Sequence, residues 1–205
     1  MEDRFDLIVV GAGHAGCEAA LAGARTGLRT LLVTFSRTTI GALSCNPAVG
    51  GVGKGQLVRE LDALGGQLAQ TADRSGLQFR RLNASKGPAV WSSRVQVDRH
   101  LFARITQQVL ASQTNLSIME AEVTSLLLQG EKATGVRLAG GEEIRGEKIV
   151  LSPGTFLRGT IHLGLESFPG GRLEEGRVSQ SLPEQLAALG LRLLRFKTGT
   201  CARLD

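Results

Sequence analysis

Apolar residues along this chain fall in short runs separated by glycine-rich turns, and the first run sets the pattern. Residues 7–10, Leu-Ile-Val-Val, form an unbroken apolar stretch of the kind a strand buried on both faces requires. It runs into Gly11-Ala-Gly-His-Ala-Gly16, after which residues 17–25 read as helix and 28–34 as a second strand. Residues 56–64 predict an amphipathic helix stopped by Gly65-Gly66, residues 77–82 alternate as a strand, and 95–111 read as a helix. Strands are predicted at 116–122, 123–129 and 133–138. The last turns through Ala139-Gly-Gly-Glu-Glu143 to pair with 143–146 in a small β-meander. A separate buried strand at 148–155, a helix at 179–189 and a strand at 191–196 complete the reading. Between the second strand and the first amphipathic helix, residues 39–55 hold five glycines, a proline and a lysine. Ile40, Leu43, Val49 and Val52 argue against disorder, so this segment reads as a packed, ligand-facing loop.

The opening strand, turn and helix give G-x-G-x-x-G the context it needs to mean dinucleotide binding. Gly11 permits the tight turn and Gly13 admits a pyrophosphate against the backbone. Gly16 lets the helix approach the strand, its positive N-terminal end facing the phosphates. An acidic residue ordinarily follows about twenty positions on to bind a ribose hydroxyl. Thr34 stands there instead and offers only a hydroxyl, which weakens a simple NAD-dehydrogenase reading.

Composition narrows the chemistry a little. The 205 residues carry 42% hydrophobic residues and a net charge of +5, enough for a core and a slight preference for anionic partners. No run reaches the roughly 18 apolar residues that cross a bilayer. Cys17, Cys45 and Cys201 form no C-x-x-C pair, so a zinc site or disulfide framework is not expected, and a reducing compartment fits better. Gly50-Gly-Val-Gly-Lys-Gly55 lacks the Ser or Thr of a phosphate loop, which rules out an NTPase site there. Cys17 reads as core. For Cys45 two readings stand on residue types alone: a small buried hydrophobe, or a nucleophile favoured by loop amides and Lys54. Arg80, Arg81, Lys86, Arg94, Arg99 and Arg104 make the middle third basic, either as a solvated face or as phosphate contacts. His100 has no companion at metal spacing and reads as a helix-face residue.

Five blocks then carry a resemblance. Gly11-Ala-Gly-His-Ala-Gly-Cys-Glu-Ala19, Ser44-Cys-Asn-Pro-Ala-Val-Gly-Gly-Val-Gly-Lys-Gly55, Asn83-Ala-Ser-Lys-Gly-Pro-Ala-Val90, Gly154-Thr-Phe-Leu157 and Lys197-Thr-Gly-Thr200 occur in one order. In these the chain resembles the N-terminal portion of the MnmG (GidA) family, over essentially its whole length. The resemblance implies an α/β, Rossmann-type FAD-binding domain, a parallel sheet with helices on both faces plus a small antiparallel β-meander. Residues 1–205 would be its first segment: 1–34 the βαβ unit, 116–147 the meander, and 197–205 the edge of an inserted domain that is missing. It further implies the FAD subunit of an enzyme adding a carboxymethylaminomethyl or aminomethyl group to C5 of the tRNA wobble uridine. NADH, methylene-tetrahydrofolate, an MnmE-like GTPase partner and a homodimer come with that reading. So do a cytoplasmic location, mitochondrial if the source is eukaryotic, and no membrane association.

Residue by residue, the resemblance assigns FAD contacts to Gly11, Ala12, Gly13, His14, Ala15 and Gly16, to the Val123 backbone at the adenine end, and to Ser179. Cys45 matches one of the two cysteines thought to act in catalysis. The family lacks the ribose-binding acid at Thr34 as well. One departure is local: Thr198-Gly-Thr-Cys-Ala-Arg203 stands where the family has Thr-Gly-Thr-Pro-Pro-Arg. Two other readings compete, a flavin- or pyridine-nucleotide oxidoreductase of small molecules and a non-catalytic FAD-binding fragment.

Overall fold

Leu7, Ile8, Val9 and Val10 are all buried, so the first strand is covered on both faces as its unbroken apolar run requires. The structure, a computed structural model, describes residues 4–171, 179, 181–197 and 199. In chain order the elements are β1 (Arg4–Val10), α1 (His14–Arg25), β2 (Thr30–Thr34), β3 (Ala48–Gly50), α2 (Lys54–Ala63), α3 (Leu68–Ser75), β4 (Gly76–Leu82) and β5 (Ser92–Val97). There follow α4 (Arg99–Ser112), β6 (Leu116–Glu120), β7 (Val123–Gln129), β8 (Lys132–Leu138), β9 (Glu143–Leu151), β10 (Thr160–Leu163), β11 (Glu166–Pro169) and α5 (Ser181–Ala188). Residues 4–38 and 114–197 form one compact unit and Thr39–Gln113 another.

The first unit is built on a six-stranded sheet in the order β6-β2-β1-β9-β8-β7. β6, β2, β1 and β9 run parallel, and β9, β8 and β7 run antiparallel. α1 packs close on the Leu7 face, because the missing side chain of Gly23 leaves room for the Leu7 side chain and the Thr30 hydroxyl. On the opposite face Ile8, Val10, Leu31 and Val33 share one buried cluster with Val123, Val136, Leu138 and Ile144. The antiparallel strands therefore fold back over the parallel ones. Above Ile8 and Val10 the meander, not a helix, supplies the cover, and the α/β class holds.

Several boundaries differ from the sequence reading. Residues 143–146 and 148–155 were expected as two strands, yet β9 runs unbroken through Gly146. That glycine is no turn: a Cβ there would lie 2.7 Å from Ile8 Cδ1, so the side chain is absent to admit a neighbour. β6 leaves the expected 116–147 meander for the far edge of the sheet, beside β2. The 191–196 segment, expected as a strand, joins no ladder among the described residues, and Leu191, Leu193, Leu194 and Phe196 are exposed. The β10–β11 hairpin was not anticipated.

The second unit is a three-stranded antiparallel sheet, β3-β5-β4, backed by helices. Its core joins Leu43, Val49, Ala72, Val97 and Phe102. Ile40, Leu43 and Val49 are buried, as a packed loop requires, whereas Val52 is 63% exposed. The helix expected from 95 begins only at Arg99, because β-branched Val95 and Val97 extend β5 and Asp98 caps the helix after them. Asp98 Oδ1 accepts from the backbone N–H groups of His100 and Leu101, both at 2.9 Å. Donation by Leu101 holds its carboxyl below the usual Asp range; loss of hydration opposes this less strongly, and donation by His100 adds a smaller lowering effect. A depressed folded value means the cap stabilises above the ordinary Asp range, and that contribution is lost as pH falls through it. Asp98→Ala should therefore lower the urea midpoint of unfolding at neutral pH. The gap to the parent protein should close in acid, and a gap constant across that pH range would show that no ionised cap operates.

Candidate functional site

The carboxyl ends of β1, β2 and β9 lie side by side, with Val10 in register with Val33 on one flank and Leu151 on the other. The chain leaves β1 toward β2 while β9 occupies the opposite side, so strand order reverses at β1. Loops beyond such a reversal are where open α/β sheets hold their ligands. Gly11 takes φ +100°, a conformation that a side chain would strain, and a Cβ there would fall 2.9 Å from the Ser152 carbonyl carbon. Its N–H donates to Val33 O at 2.8 Å. Ser152, the first residue after β9, ties the turn down. Its N–H donates to Val10 O at 2.8 Å, and its hydroxyl approaches both Val10 O (3.1 Å) and Gly11 O (3.0 Å).

Gly16 meets the same knot from the helix side. A Cβ on it would run into the Gly11 carbonyl oxygen and stand 2.6 Å from Ser152 Oγ. Gly13 behaves differently. It is the N-cap of α1 at φ −72° and ψ −174°, a conformation open to any residue, and a Cβ there would meet nothing within 4 Å. Two of the three fingerprint glycines are thus demanded by protein packing, while Gly13 keeps space clear in front of the helix. That space faces the positive end of a twelve-residue helix with no acid in its first turn. The cradle has the form a pyrophosphate group needs, so the residues present fit a dinucleotide.

The remaining expected contacts are spread around this turn. Ala12 is buried and accepts the Cys17 thiol at 3.4 Å, while His14 and Ala15 begin α1, the first half-buried and the second exposed. Val123 opens β7 and shares the buried cluster of Val10, immediately before Gly11. Ser179 is buried and reaches the Val123 carbonyl through its hydroxyl at 3.4 Å. Its N–H donates to Phe156 O at 3.0 Å, which ties both residues to the segment after β9. Thr34 donates to Ser36 O at 3.3 Å, so its proton is used within its own loop. Ser152 was not singled out from sequence. The available signal was a serine directly after a buried strand, facing a glycine turn.

Cys45 belongs to the second unit and is exposed, in contrast to buried Cys17. Ser44, Cys45 and Asn46 form an exposed tripeptide between Leu43 and Pro47, both of which are anchored. Leu43 is in the core and its carbonyl accepts from Arg99 Nη2 at 3.2 Å, and Pro47 O accepts from Val97 N at 2.8 Å. A thiol pinned at both flanks and presented outward fits the nucleophile reading better than the buried-hydrophobe reading. Lys54, at the first position of α2, is exposed. Cys201 and the altered 200–203 stretch lie outside the described residues. Among the described residues, no helix is long and apolar enough to cross a membrane and no group of His, Cys, Asp or Glu is arranged to hold a metal.

The family model described as glucose inhibited division protein A matches residues 6–205. A tRNA uridine 5-carboxymethylaminomethyl modification enzyme of Syntrophotalea carbinolica is 52% identical over 98% of the chain, which spans 32% of that relative. The enzyme of the same name from Thermodesulfovibrio yellowstonii is 51% identical over 100% of the chain, again spanning 32% of the relative. GidA of Aquifex aeolicus superposes with a TM-score of 0.94 at 45% identity, over 99% of this chain and 34% of that one. A GidA-related protein of Thermus thermophilus gives 0.68 at 26% identity, over 93% of this chain and 70% of that one. The chain thus spans only part of the length of these relatives, and it belongs to the glucose inhibited division protein A family.

Proposed function

We propose that this chain binds FAD and forms the FAD-binding part of an enzyme that adds a carboxymethylaminomethyl or aminomethyl group to C5 of the tRNA wobble uridine. The observation that carries the flavin reading is the cradle at Gly11, Gly13 and Gly16, in which Ser152 fixes the turn and Gly13 leaves open the one position that no packing neighbour fills. The name shared by the bacterial relatives carries the tRNA reading. Gly11, Ala12, Gly13, His14, Ala15 and Gly16 would receive the pyrophosphate, Val123 the adenine end through its backbone, and Ser179 a further FAD contact. FAD, when bound, supplies electrons for the reduction that the transferred carbon requires. Cys45 is the nucleophile of this reading: its thiolate adds to the uracil ring or to the carbon-transfer intermediate, and the proton leaves to solvent. NADH as reductant, methylene-tetrahydrofolate as carbon donor, an MnmE-like GTPase partner, a homodimer and a cytoplasmic setting complete the proposal. In the same reading, residues 1–205 are the first segment of an FAD domain and 197–205 lead into an inserted one.

Two tests separate cradle from chemistry. Gly13→Val keeps the backbone but fills the open space. It should cut FAD retention after desalting about tenfold or more while leaving the unfolding midpoint near that of the parent. Gly16→Ala instead collides with Gly11 and should cost about 1–3 kcal/mol of stability. Equal FAD retention in Gly13→Val and the parent protein would remove the flavin assignment. Cys45→Ser should abolish wobble-uridine modification, read by mass spectrometry of digested tRNA, with FAD retention unchanged; surviving modification would refute the nucleophile role.

A further inference from the structure

Charge is divided unevenly between the two units. Of the chain's 24 Lys and Arg and 19 Asp and Glu, Thr39–Gln113 holds nine and four, leaving +5 there and fifteen against fifteen elsewhere. The entire net charge of +5 therefore belongs to the second unit. Within it, residues 76–97 carry Arg80, Arg81, Lys86 and Arg94 and no carboxylate, and neighbouring Asp98 is committed to its cap. Arg80 and Arg94 are direct cross-strand partners on one face, an arrangement that costs stability through like-charge repulsion. Among the described residues, no ion pair joins Arg59, Arg80, Arg81 or Arg94 to a carboxylate. Uncompensated cation at this density calls for an anionic partner.

On the other side of the same hairpin the cations are held in place. Gln56 and Arg59 from α2, Arg81 from β4, Trp91 and Ser93 line a recess. The Arg81 guanidinium lies 4.7 Å over the indole ring of Trp91, whose Nε1–H donates to Ala84 O at 3.1 Å. Arg59 Nη2 donates to Ser93 Oγ at 3.0 Å, and Gln56 Nε2 to Trp91 O at 3.1 Å. α2 can come this near β5 because position 55 is glycine, where a Cβ would stand 2.9 Å from Ser93 N. Two oriented guanidinium groups and a partly exposed indole thus share one opening.

We propose that this recess is an RNA-binding site, with a backbone phosphate between Arg59 and Arg81 and the adjoining base against the exposed part of Trp91. The planar arginine fork matches phosphate oxygens, and an aromatic surface accepts any base. An acidic protein offers carboxylates to the arginine fork but not a ring repeated beside each charge. A free nucleotide would bring both but leave the positive field of the rest of the unit unused, whereas the flanking phosphates of an RNA strand feel that field at long range, with only a weak contribution from Arg80 and Arg94 on the far face. The site takes its substrate class from the tRNA reading and adds where on this chain the strand is gripped.

The test is fluorescence anisotropy of a labelled anticodon stem-loop RNA titrated with the purified protein after incubation with FAD. Two double variants remove the same charge, Arg59→Gln with Arg81→Gln in the recess, and Arg80→Gln with Arg94→Gln on the opposite face. The recess pair should weaken binding about tenfold or more and lower the log–log salt slope by about 0.7 for each phosphate no longer neutralised. The outer pair should change affinity less than about threefold. Trp91→Ala should weaken binding about tenfold at an unchanged salt slope, and Trp91→Phe should restore most of it. Equal weakening by both pairs would make the surface a diffuse basic field and overturn the site, as would displacement of RNA by NADH or polyglutamate as readily as by unlabelled RNA. If RNA binding ignores the recess pair while Cys45→Ser still abolishes modification, this site falls and the tRNA reading stands. Loss of FAD retention in the parent protein with the RNA pattern intact would remove the flavin assignment and leave this site standing.

Discussion

The close approach of Gly11, Gly16 and Ser152 is the interaction on which the first unit depends. Three segments converge there: the end of β1, the first turn of α1 just after it, and the residue after β9, 141 positions beyond Gly11. The approach works only because two side chains are missing and the third is a short hydroxyl within reach of the Gly11 carbonyl oxygen, while the Val10 carbonyl accepts the Ser152 N–H. A carbonyl left without a partner in such a tightly packed turn would cost about 1–3 kcal/mol. Ser152 is held in register by β9, which is held by β1 on one side and β8 on the other. The parallel sheet, the meander and the cradle therefore form one connected arrangement.

That connection explains why the meander matters to a site it does not line. Val123 and Val136 pack in the same cluster as Val10 and Val33, the residues that bring β1 and β2 to their carboxyl ends. Covering that face with strands lets β9 belong to both a parallel and an antiparallel ladder, so the position of Ser152 is fixed from two directions. Ser179 extends the arrangement by joining the Val123 carbonyl to the segment after β9.

The cradle was legible in the sequence because its determinants are local. A four-residue apolar strand, three glycines at set spacing and a helix-forming run need nothing else to be read, and each holds in the structure. Where the reading failed, the deciding partner lay far along the chain. Residues 143–146 and 148–155 read as two strands until Ile8 is known to occupy the space of the side chain that Gly146 lacks. Val95 and Val97 fit a helical period as well as a strand, and only pairing with β3 and β4 settles the matter. Residues 191–196 show the converse, since an apolar-rich run that finds no partner edge makes no strand. Cys45 is intermediate. Its loop was plain in the glycine count, but its outward presentation depends on Arg99 and Val97, about fifty residues away.

The two units also differ in how they use charge, and the difference bears on what each can bind. In the first unit, arginines at 4, 137, 145 and 158 are matched by glutamates on neighbouring strands or helices, leaving its ligand space to backbone amides and a helix end. Such a site suits a cofactor that is bound once and held, because backbone dipoles are fixed by the fold and add no mobile cation to the surface. The second unit concentrates unmatched arginine on the β4–β5 hairpin and beside an indole, which suits a large polyanion that must arrive and leave. Its attraction is long in range but screened by salt. A held cofactor and an exchanging RNA would place opposite demands on electrostatics, and the two proposed sites lie in separate units: every excess cation of the chain falls between Thr39 and Gln113.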